Sequence, residues 1–160
     1  MCILIEIEKI WRRIMKRIAS AVWVGGFIGG KGFVSTSSGA ISNISYSFKT
    51  RFEDHPGTNP EELIAAAQAG CFSMALAAQL ESNGFNPRSI DTSATVTLEQ
   101  QSGKWNITAI RMDVIARVPG LDRKTFEKAA REAKNGCPVS RVLKAKITMD
   151  AMLEPESKAA

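Results

Sequence analysis

Apolar and polar residues recur with a helical period at the start of the chain. Six apolar residues share one helical face over residues 3–18, and charged residues occupy most of the other positions. This pattern predicts an amphipathic helix. Two interpretations stay open: residues 1–14 are an extension before a natural start at Met15, or the helix docks on a membrane surface or a second subunit. The apolar positions are Ile3, Ile7, Ile10, Trp11, Ile14 and Ile18.

The pattern shortens to strand-like runs in the next part of the chain. Runs over residues 21–28, 32–37 and 41–48 are separated by turn signals at Gly29-Gly30 and Ser38-Gly39. Short runs joined by glycine turns are typical of neighbouring antiparallel strands. The sequence therefore predicts a small antiparallel meander.

The clearest helix in the sequence begins after Asn59. Asparagine is a favoured N-cap, Pro60 suits the first helical position, and Glu62 stands three residues after the cap, as in a capping box. The helix is expected to end at Asn83-Gly84. Its residues are apolar around almost the whole circumference, and its alanines and glycines permit close backbone approach. We expect this helix to be central and buried.

A long hairpin is predicted next. Strands over residues 91–101 and 104–118 flank a turn at Ser102-Gly103. In the second strand the apolar residues switch from odd to even positions. A β-bulge near Ala109 to Ile110 would explain this switch.

The remaining elements complete an α+β domain. Asp122 is a candidate N-cap for a helix through Asn135 that ends at Gly136, and Cys137-Pro138 begins a short helix to about Leu143. A last strand covers residues 147–153. The order of elements predicts one domain over residues 15–154, in which helices cover sheets, followed by a polar tail over residues 155–160.

Composition narrows the class of protein. The chain has 160 residues, of which 44% are hydrophobic, enough for one packed core. Its net charge is +5, but the lysines and arginines are mostly spread along the chain. This distribution argues against a protein that recognises nucleic acid, which would concentrate them. No segment reaches the ~18 consecutive apolar residues of a membrane span. Three cysteines, an odd number, argue against a secreted disulfide framework, so we expect a cytoplasmic protein.

Two cysteines are the candidates for chemistry. Cys137 occupies the N-cap of the predicted short helix, where the helix dipole would favour its thiolate. Cys71 lies about three turns inside the apolar helix, where burial should raise its pKa and leave it inert. A charged partner could reverse this, and an Arg51 guanidinium held by Glu61 is the candidate. Local context alone ranks Cys137 above Cys71 as the reactive thiol.

No cofactor and no metal are expected. The single histidine, His55, lies in a turn without partner ligands, and the methionine spacings do not gather soft ligands. The glycine pairs lack the following helix and the lysine of a phosphate-binding loop.

Three segments combine distinctive residues. They are Gly57-Thr58-Asn59-Pro60-Glu61-Glu62-Leu63, Ala69-Gly70-Cys71-Phe72-Ser73 and Gly136-Cys137-Pro138-Val139-Ser140. Together they resemble the OsmC/Ohr family, the osmotically inducible protein C and organic hydroperoxide resistance proteins. The resemblance covers roughly Met15 to Leu153. Arg51 within Tyr46–Phe52 is more similar to the OsmC branch than to the Ohr branch.

The resemblance implies a fold and an activity. The fold would be an α+β OsmC-like fold, with antiparallel sheets around a long buried central helix, in an intertwined homodimer with active sites at the subunit interface. The activity would be a cysteine-based peroxidase that reduces organic hydroperoxides, and hydrogen peroxide less efficiently, in oxidative or osmotic stress defence. A dithiol, normally a dihydrolipoyl group, would donate the electrons.

The resemblance also implies roles for four residues. Cys71 would be the peroxidatic cysteine and Cys137 the resolving cysteine, which reverses the ranking from local context. Arg51 would stabilise the Cys71 thiolate and polarise the peroxide, and Glu61 would orient Arg51. Two alternatives remain: a redox-responsive sensor or binding protein that uses the same cysteines without turnover, and a structural protein whose buried cysteines are incidental.

Overall fold

The structure is a computed structural model that describes residues 14–154. The chain forms two compact units that meet in sequence between Thr58 and Asn59. The predicted amphipathic helix falls mostly on residues outside the described range, and residues 14–18 have no regular secondary structure. The helix prediction is therefore wrong for those five positions. The single-domain organisation over residues 15–154 stays a prediction.

The N-terminal unit contains the predicted antiparallel meander. Its strands are β1 (Ala19–Val24), β2 (Lys31–Thr36) and β3 (Ile44–Ser47), in the order β1-β2-β3 with antiparallel pairing throughout. A Cβ at Gly32 in β2 would come within 2.4 Å of the Tyr46 ring in β3. Only glycine at this position therefore leaves room for the Tyr46 ring.

A short helix, α1 (Phe48–Phe52), follows β3, so Phe48, the last residue of the strand run predicted over residues 41–48, is helical. Its cause is a capping box, because the backbone N–H of Thr50 donates to the Ser47 hydroxyl and the backbone N–H of Ser47 donates to the Thr50 hydroxyl. The ring centroids of Phe48 and Phe52 lie 4.9 Å apart with the rings tilted, and both rings contact the Phe27 ring. These contacts fix the helix that carries Arg51.

The C-terminal unit begins with the predicted long helix, α2 (Pro60–Ser82). The side chain of Asn59 accepts the backbone N–H of Glu62 at 2.9 Å, which confirms the predicted N-cap. Gly84 adopts a φ of 82° just after the helix and ends it as expected. Both ends of α2 thus follow from local sequence.

The second sheet contains β4 (Ser89–Gln101), β5 (Lys104–Arg117) and β6 (Lys146–Leu153) in that order. The predicted hairpin and its bulge are confirmed, since the pairing slips at Thr97 and Leu98 and leaves Thr108 of β5 unmatched. The expectation of antiparallel sheets is wrong for β6, which runs parallel to β5. Two helices between these strands return the chain to the same end of the sheet.

These two helices are α3 (Arg123–Gly136) and α4 (Pro138–Val142). The core lies where α2 and α3 pack on the sheet, and it is continuous from one helix to the other. The side chain of Asp122 accepts the backbone N–H of Thr125 at 3.0 Å and starts α3 as predicted. The largest fully buried apolar side chains are Phe72, Phe126, Leu76, Leu80, Ile110 and Met112.

The central helix α2 is buried along one stripe rather than around its circumference. Phe72, Leu76 and Leu80 are fully buried, whereas Met74 is 77% exposed. The expectation that no segment could span a membrane is also too strict, because α2 is long and apolar enough by length and composition. Within this unit the helix packs against β4 and α3.

Candidate active site

The two candidate cysteines meet in the C-terminal unit. The Sγ atoms of Cys71, on α2, and Cys137, between α3 and α4, lie 3.1 Å apart. A disulfide bond is about 2.05 Å long, so an approach of about 1 Å would join the two sulfurs. The structure therefore brings together two residues that are 66 positions apart in the sequence.

Local sequence explains the position of Cys137. Its backbone N–H donates to the carbonyl of Ala133 at 2.8 Å and closes α3, and its carbonyl accepts the N–H of Arg141 at 3.1 Å as α4 begins. Pro138 fits the first position of α4 because it has no N–H to lose. Cys137 is 0% exposed, whereas Cys71 is only partly buried. The two sulfurs thus differ in their access to solvent.

The two thiols also differ in acidity. Burial has the largest effect on the pKa of Cys71 and raises it. The Val139 N–H lowers this pKa by less than burial raises it, and the hydrogen bond with Cys137 adds to the rise. Burial also acts to raise the pKa of Cys137. Favourable interactions of the thiolate with the Ser140 N–H, the Cys71 thiol and the Ser140 hydroxyl outweigh this and hold the pKa of Cys137 below its ordinary value.

In the sulfur–sulfur contact the Cys137 thiol donates to the Cys71 sulfur. The pKa directions differ from this arrangement, because they make Cys137 the thiol that ionises first, after which Cys71 would be the donor. The first N–H groups of α4 approach the Cys137 sulfur without completing a capping hydrogen bond, so their effect is mainly electrostatic. Taken alone, the pair would lose its first proton from Cys137. This agrees with the ranking from local sequence context.

Two polar residues that the sequence did not single out adjoin the cysteines. Gln68 is fully buried on α2, and its Nε2 donates to the Ser140 Oγ at 2.8 Å. Ser140 belongs to the Cys137 segment but was assigned no role. In the sequence, the feature that could have drawn attention to Gln68 is that it is a single glutamine in an otherwise apolar stretch of helix.

The other two predicted site residues lie at the ends of their elements. Glu61 is 8% exposed in the first turn of α2, in the same unit as both cysteines. Arg51 lies in α1 of the N-terminal unit, with its guanidinium 5.1 Å from the centre of the Phe52 ring. An approach of Arg51 to Cys71, and its orientation by Glu61, stay predictions.

A cavity of about 310 Å³ lies beside the site. Lys134, Asn135, Ser140 and Arg141 contribute polar lining, and neither cysteine lines it. The Lys134 ammonium donates to the carbonyl of Ile147 at 3.0 Å. The cavity adjoins Ser140 rather than the sulfur pair itself.

Comparison with known proteins decides the family. The sequence profile described as OsmC-like protein matches residues 52–151. The chain belongs to the OsmC-like protein family. Peroxiredoxin OsmC of Escherichia coli is 52% identical to this chain over 134 residues, which cover 84% of this chain and 94% of that protein. Organic hydroperoxide resistance protein-like 1 of Staphylococcus epidermidis is 30% identical over 127 residues, or 79% and 89% of the two chains.

Solved structures of the OsmC-like family share the fold. An OsmC-like protein of unknown function from Vibrio cholerae superposes with a TM-score of 0.70 at 15% identity, covering 87% of this chain and all of that one. An organic hydroperoxide resistance protein OsmC from Legionella pneumophila gives a TM-score of 0.66 at 20% identity, with coverages of 90% and 100%. The α+β OsmC-like fold implied by the sequence motifs is confirmed.

Proposed function

We propose that this protein reduces organic hydroperoxides, with Cys71 as the attacking thiolate and Cys137 as the resolving thiol. The observation that carries the proposal is the 3.1 Å contact of the two sulfurs, since a sulfenic acid formed on one meets the other at once. The family assignment and the 52% identity to a peroxiredoxin support a thiol peroxidase. A sensor that uses the pair without turnover is not favoured.

The reaction has three steps. The Cys71 thiolate attacks the terminal oxygen of the hydroperoxide, the O–O bond breaks, and the alkoxide takes a proton and leaves as alcohol. The Cys137 thiolate then attacks the sulfur of the Cys71 sulfenic acid, the S–O bond breaks, and hydroxide takes a proton and leaves as water. A dithiol donor reduces the disulfide by two exchange reactions and is itself oxidised to a disulfide.

The first step requires a cation at Cys71. Burial raises the pKa of Cys71, while the polar groups around Cys137 outweigh burial and lower its pKa, so in the pair alone Cys137 ionises before Cys71, which is the wrong order for attack on peroxide by Cys71. A guanidinium at Cys71 would invert this order, because an opposite charge favours the ionised form. Arg51 is the proposed cation, and Glu61 is the proposed carboxylate that orients it.

Replacing Arg51 by methionine is expected to lower the second-order rate constant for an organic hydroperoxide at neutral pH by on the order of 10²-fold. Without the cation the pKa of Cys71 rises, so the rate should recover in part as the pH increases. Initial rates measured from acidic to alkaline pH would record both effects.

The matched control is Lys49→Met, which removes an exposed positive charge from the same short helix. It should leave the rate and its pH dependence unchanged. An equal loss in both variants, or an Arg51→Met variant with an unshifted pH profile, would contradict the assigned role of Arg51.

The proposed working form is a homodimer in a reducing cytoplasm. In the single chain, several large apolar side chains are exposed on β1, the following turn and α2. Monomeric proteins rarely expose so many apolar side chains to solvent. A second copy is the proposed cover. These residues are Val22, Val24, Phe27, Ile28 and Met74.

Steady turnover with a dithiol tests the function as a whole. Cumene hydroperoxide in large excess over the protein should be consumed to completion with dihydrolipoamide as donor, and more slowly with hydrogen peroxide as substrate or thioredoxin as donor. Consumption that stops after one equivalent per site would instead indicate a sensor, and faster turnover of hydrogen peroxide would contradict the substrate preference.

A further inference from the structure

The cavity beside the active site has a basic wall. Its volume of about 310 Å³ lies at the lower end of small-molecule sites, which hold roughly 300–1,000 Å³. Two of its lining side chains are cationic, those of Lys134 and Arg141, and two are neutral and polar, those of Asn135 and Ser140. Among the described residues, no acidic side chain lines the cavity. The wall is therefore suited to an anion.

The protein itself does not neutralise this positive charge. Residues 133–149 contain four basic residues and no acidic one. Glu132 and Asp150, which flank this run, each lie within 4.0 Å of a basic side chain outside it. Within residues 14–154, no carboxylate oxygen lies within 4.0 Å of the side-chain nitrogens of Lys134 or Arg141. A bound anion would supply the missing partner. The basic residues of the run are Lys134, Arg141, Lys144 and Lys146.

The cavity wall combines a fixed cation with apolar surface. The Lys134 ammonium donates one hydrogen to the carbonyl of Ile147 at 3.0 Å, which ties the end of α3 to β6. An ammonium has three hydrogens to donate, so two remain for a ligand. Ala145 and Ile147 complete the wall with apolar groups. A carboxylate on a short aliphatic chain matches both parts of this lining.

Ser140 connects the cavity to the cysteine pair. It lines the cavity three residues after Cys137, and its Oγ accepts the Nε2 hydrogen of Gln68 at 2.8 Å. Gln68 stands three residues before Cys71 on α2. Side chains three apart on a helix are neighbours, with Cβ atoms about 5–6 Å apart. A ligand in the cavity is thus separated from the two sulfurs by only one or two side chains.

We propose that the cavity binds the carboxylate of the dithiol that reduces the Cys71–Cys137 disulfide. Lys134 and Arg141 would pair with this carboxylate. The inference rests on the disulfide cycle proposed above and specifies the class of its electron donor. That class is a dithiol with a carboxylate at the end of a short aliphatic chain, such as free dihydrolipoate.

Binding the carboxylate assists the reductive step. Cys71 is partly exposed and Cys137 is fully buried, so the Cys71 sulfur is the accessible target. The first thiolate of the donor attacks Cys71, the S–S bond breaks, and Cys137 leaves as a thiolate that takes a proton. The second thiolate of the donor then displaces Cys71, which also takes a proton, and the donor leaves as a cyclic disulfide. A bound carboxylate raises the local concentration of the donor for the first exchange.

The test compares two dithiols that differ in one group: dihydrolipoate carries a carboxylate and dihydrolipoamide a neutral amide. The full chain is first oxidised to the disulfide with diamide, so the assay does not depend on peroxide turnover. Free thiols are then counted after a rapid alkylation quench. We expect the second-order rate constant to be about 5- to 10-fold higher for dihydrolipoate. This advantage should shrink as salt is added, because salt screens exposed charges.

Two double variants make the result specific. Lys134→Met with Arg141→Met should bring the rate constant of dihydrolipoate down to that of dihydrolipoamide. The matched control is Arg123→Met with Lys128→Met, which removes two cations from α3 that already pair with carboxylates of the same helix. The net charge falls equally in both variants, but the control should keep its preference for dihydrolipoate.

Three results would overturn the inference. They are equal rate constants for the two dithiols in the unmodified protein, a preference that survives in Lys134→Met with Arg141→Met, and a preference that the control variant also loses. Because diamide forms the disulfide, each of these results leaves the peroxidase function intact. An intact preference in a protein that does not consume hydroperoxide would instead support the carboxylate site and refute the proposed function.

Discussion

Replacing Cys71 by serine should reduce hydroperoxide consumption more than about 10³-fold, to the rate of the uncatalysed reaction. The hydroxyl of serine occupies nearly the same volume but stays protonated at neutral pH, so no nucleophile remains to attack the O–O bond. The measurement is steady-state consumption of cumene hydroperoxide with dihydrolipoamide as donor.

The control for this variant is Cys2→Ser, the same change at the third cysteine of the chain. Cys2 takes no part in the proposed mechanism, and its loss should leave the rate unchanged. Full activity in Cys71→Ser would refute the peroxidatic assignment. Activity that survives in Cys71→Ser but vanishes in Cys137→Ser would exchange the roles of the two cysteines, as the local electrostatics taken alone would suggest.

Replacing Cys137 by serine should separate oxidation from turnover. Cys71 can still reduce one equivalent of peroxide, but the sulfenic acid then lacks the thiol that lies 3.1 Å away in the unmodified protein. We expect a burst of one equivalent per site, and labelling of Cys71 by a reagent specific for sulfenic acids. Steady consumption with a dithiol donor should fall by on the order of 10²-fold.

The same labelling experiment on the unmodified protein is the comparison. There the sulfenic acid should escape detection because Cys137 converts it to a disulfide, visible as the loss of two free thiols per chain. Equal labelling of the two proteins, together with equal turnover, would show that Cys137 does not resolve the oxidised Cys71.

Helix ends were the part of the fold that the sequence predicted best. Asn59 and Asp122 cap their helices through hydrogen bonds to residues three positions later, so every participant is visible in a short stretch of sequence. The helix α1 was missed because Phe48 and Phe52 favour strands, and only the Ser47 and Thr50 hydroxyls indicated otherwise.

Features that join distant parts of the chain were harder to predict. Periodicity shows that residues 147–153 form a strand but does not show which strand they join, so the parallel pairing of β6 had to come from the structure. The pairing of Cys71 with Cys137 came from the family resemblance, because local chemistry made Cys137 the stronger nucleophile. The hydrogen bond of Gln68 with Ser140 was missed because it joins residues 72 positions apart.

The contact between Cys71 and Cys137 also affects the stability of the protein against unfolding during the catalytic cycle. A bond between them would close a loop of about 66 residues, which includes the whole β4–β5 hairpin and α3. Closing a loop of that length restricts the unfolded chain and raises the free energy of unfolding by about 4 kcal/mol. The oxidised protein, waiting for its reductant, should therefore withstand heat and proteases better than the reduced form. The protein should be most resistant to unfolding when peroxide oxidises it faster than the dithiol donor reduces it.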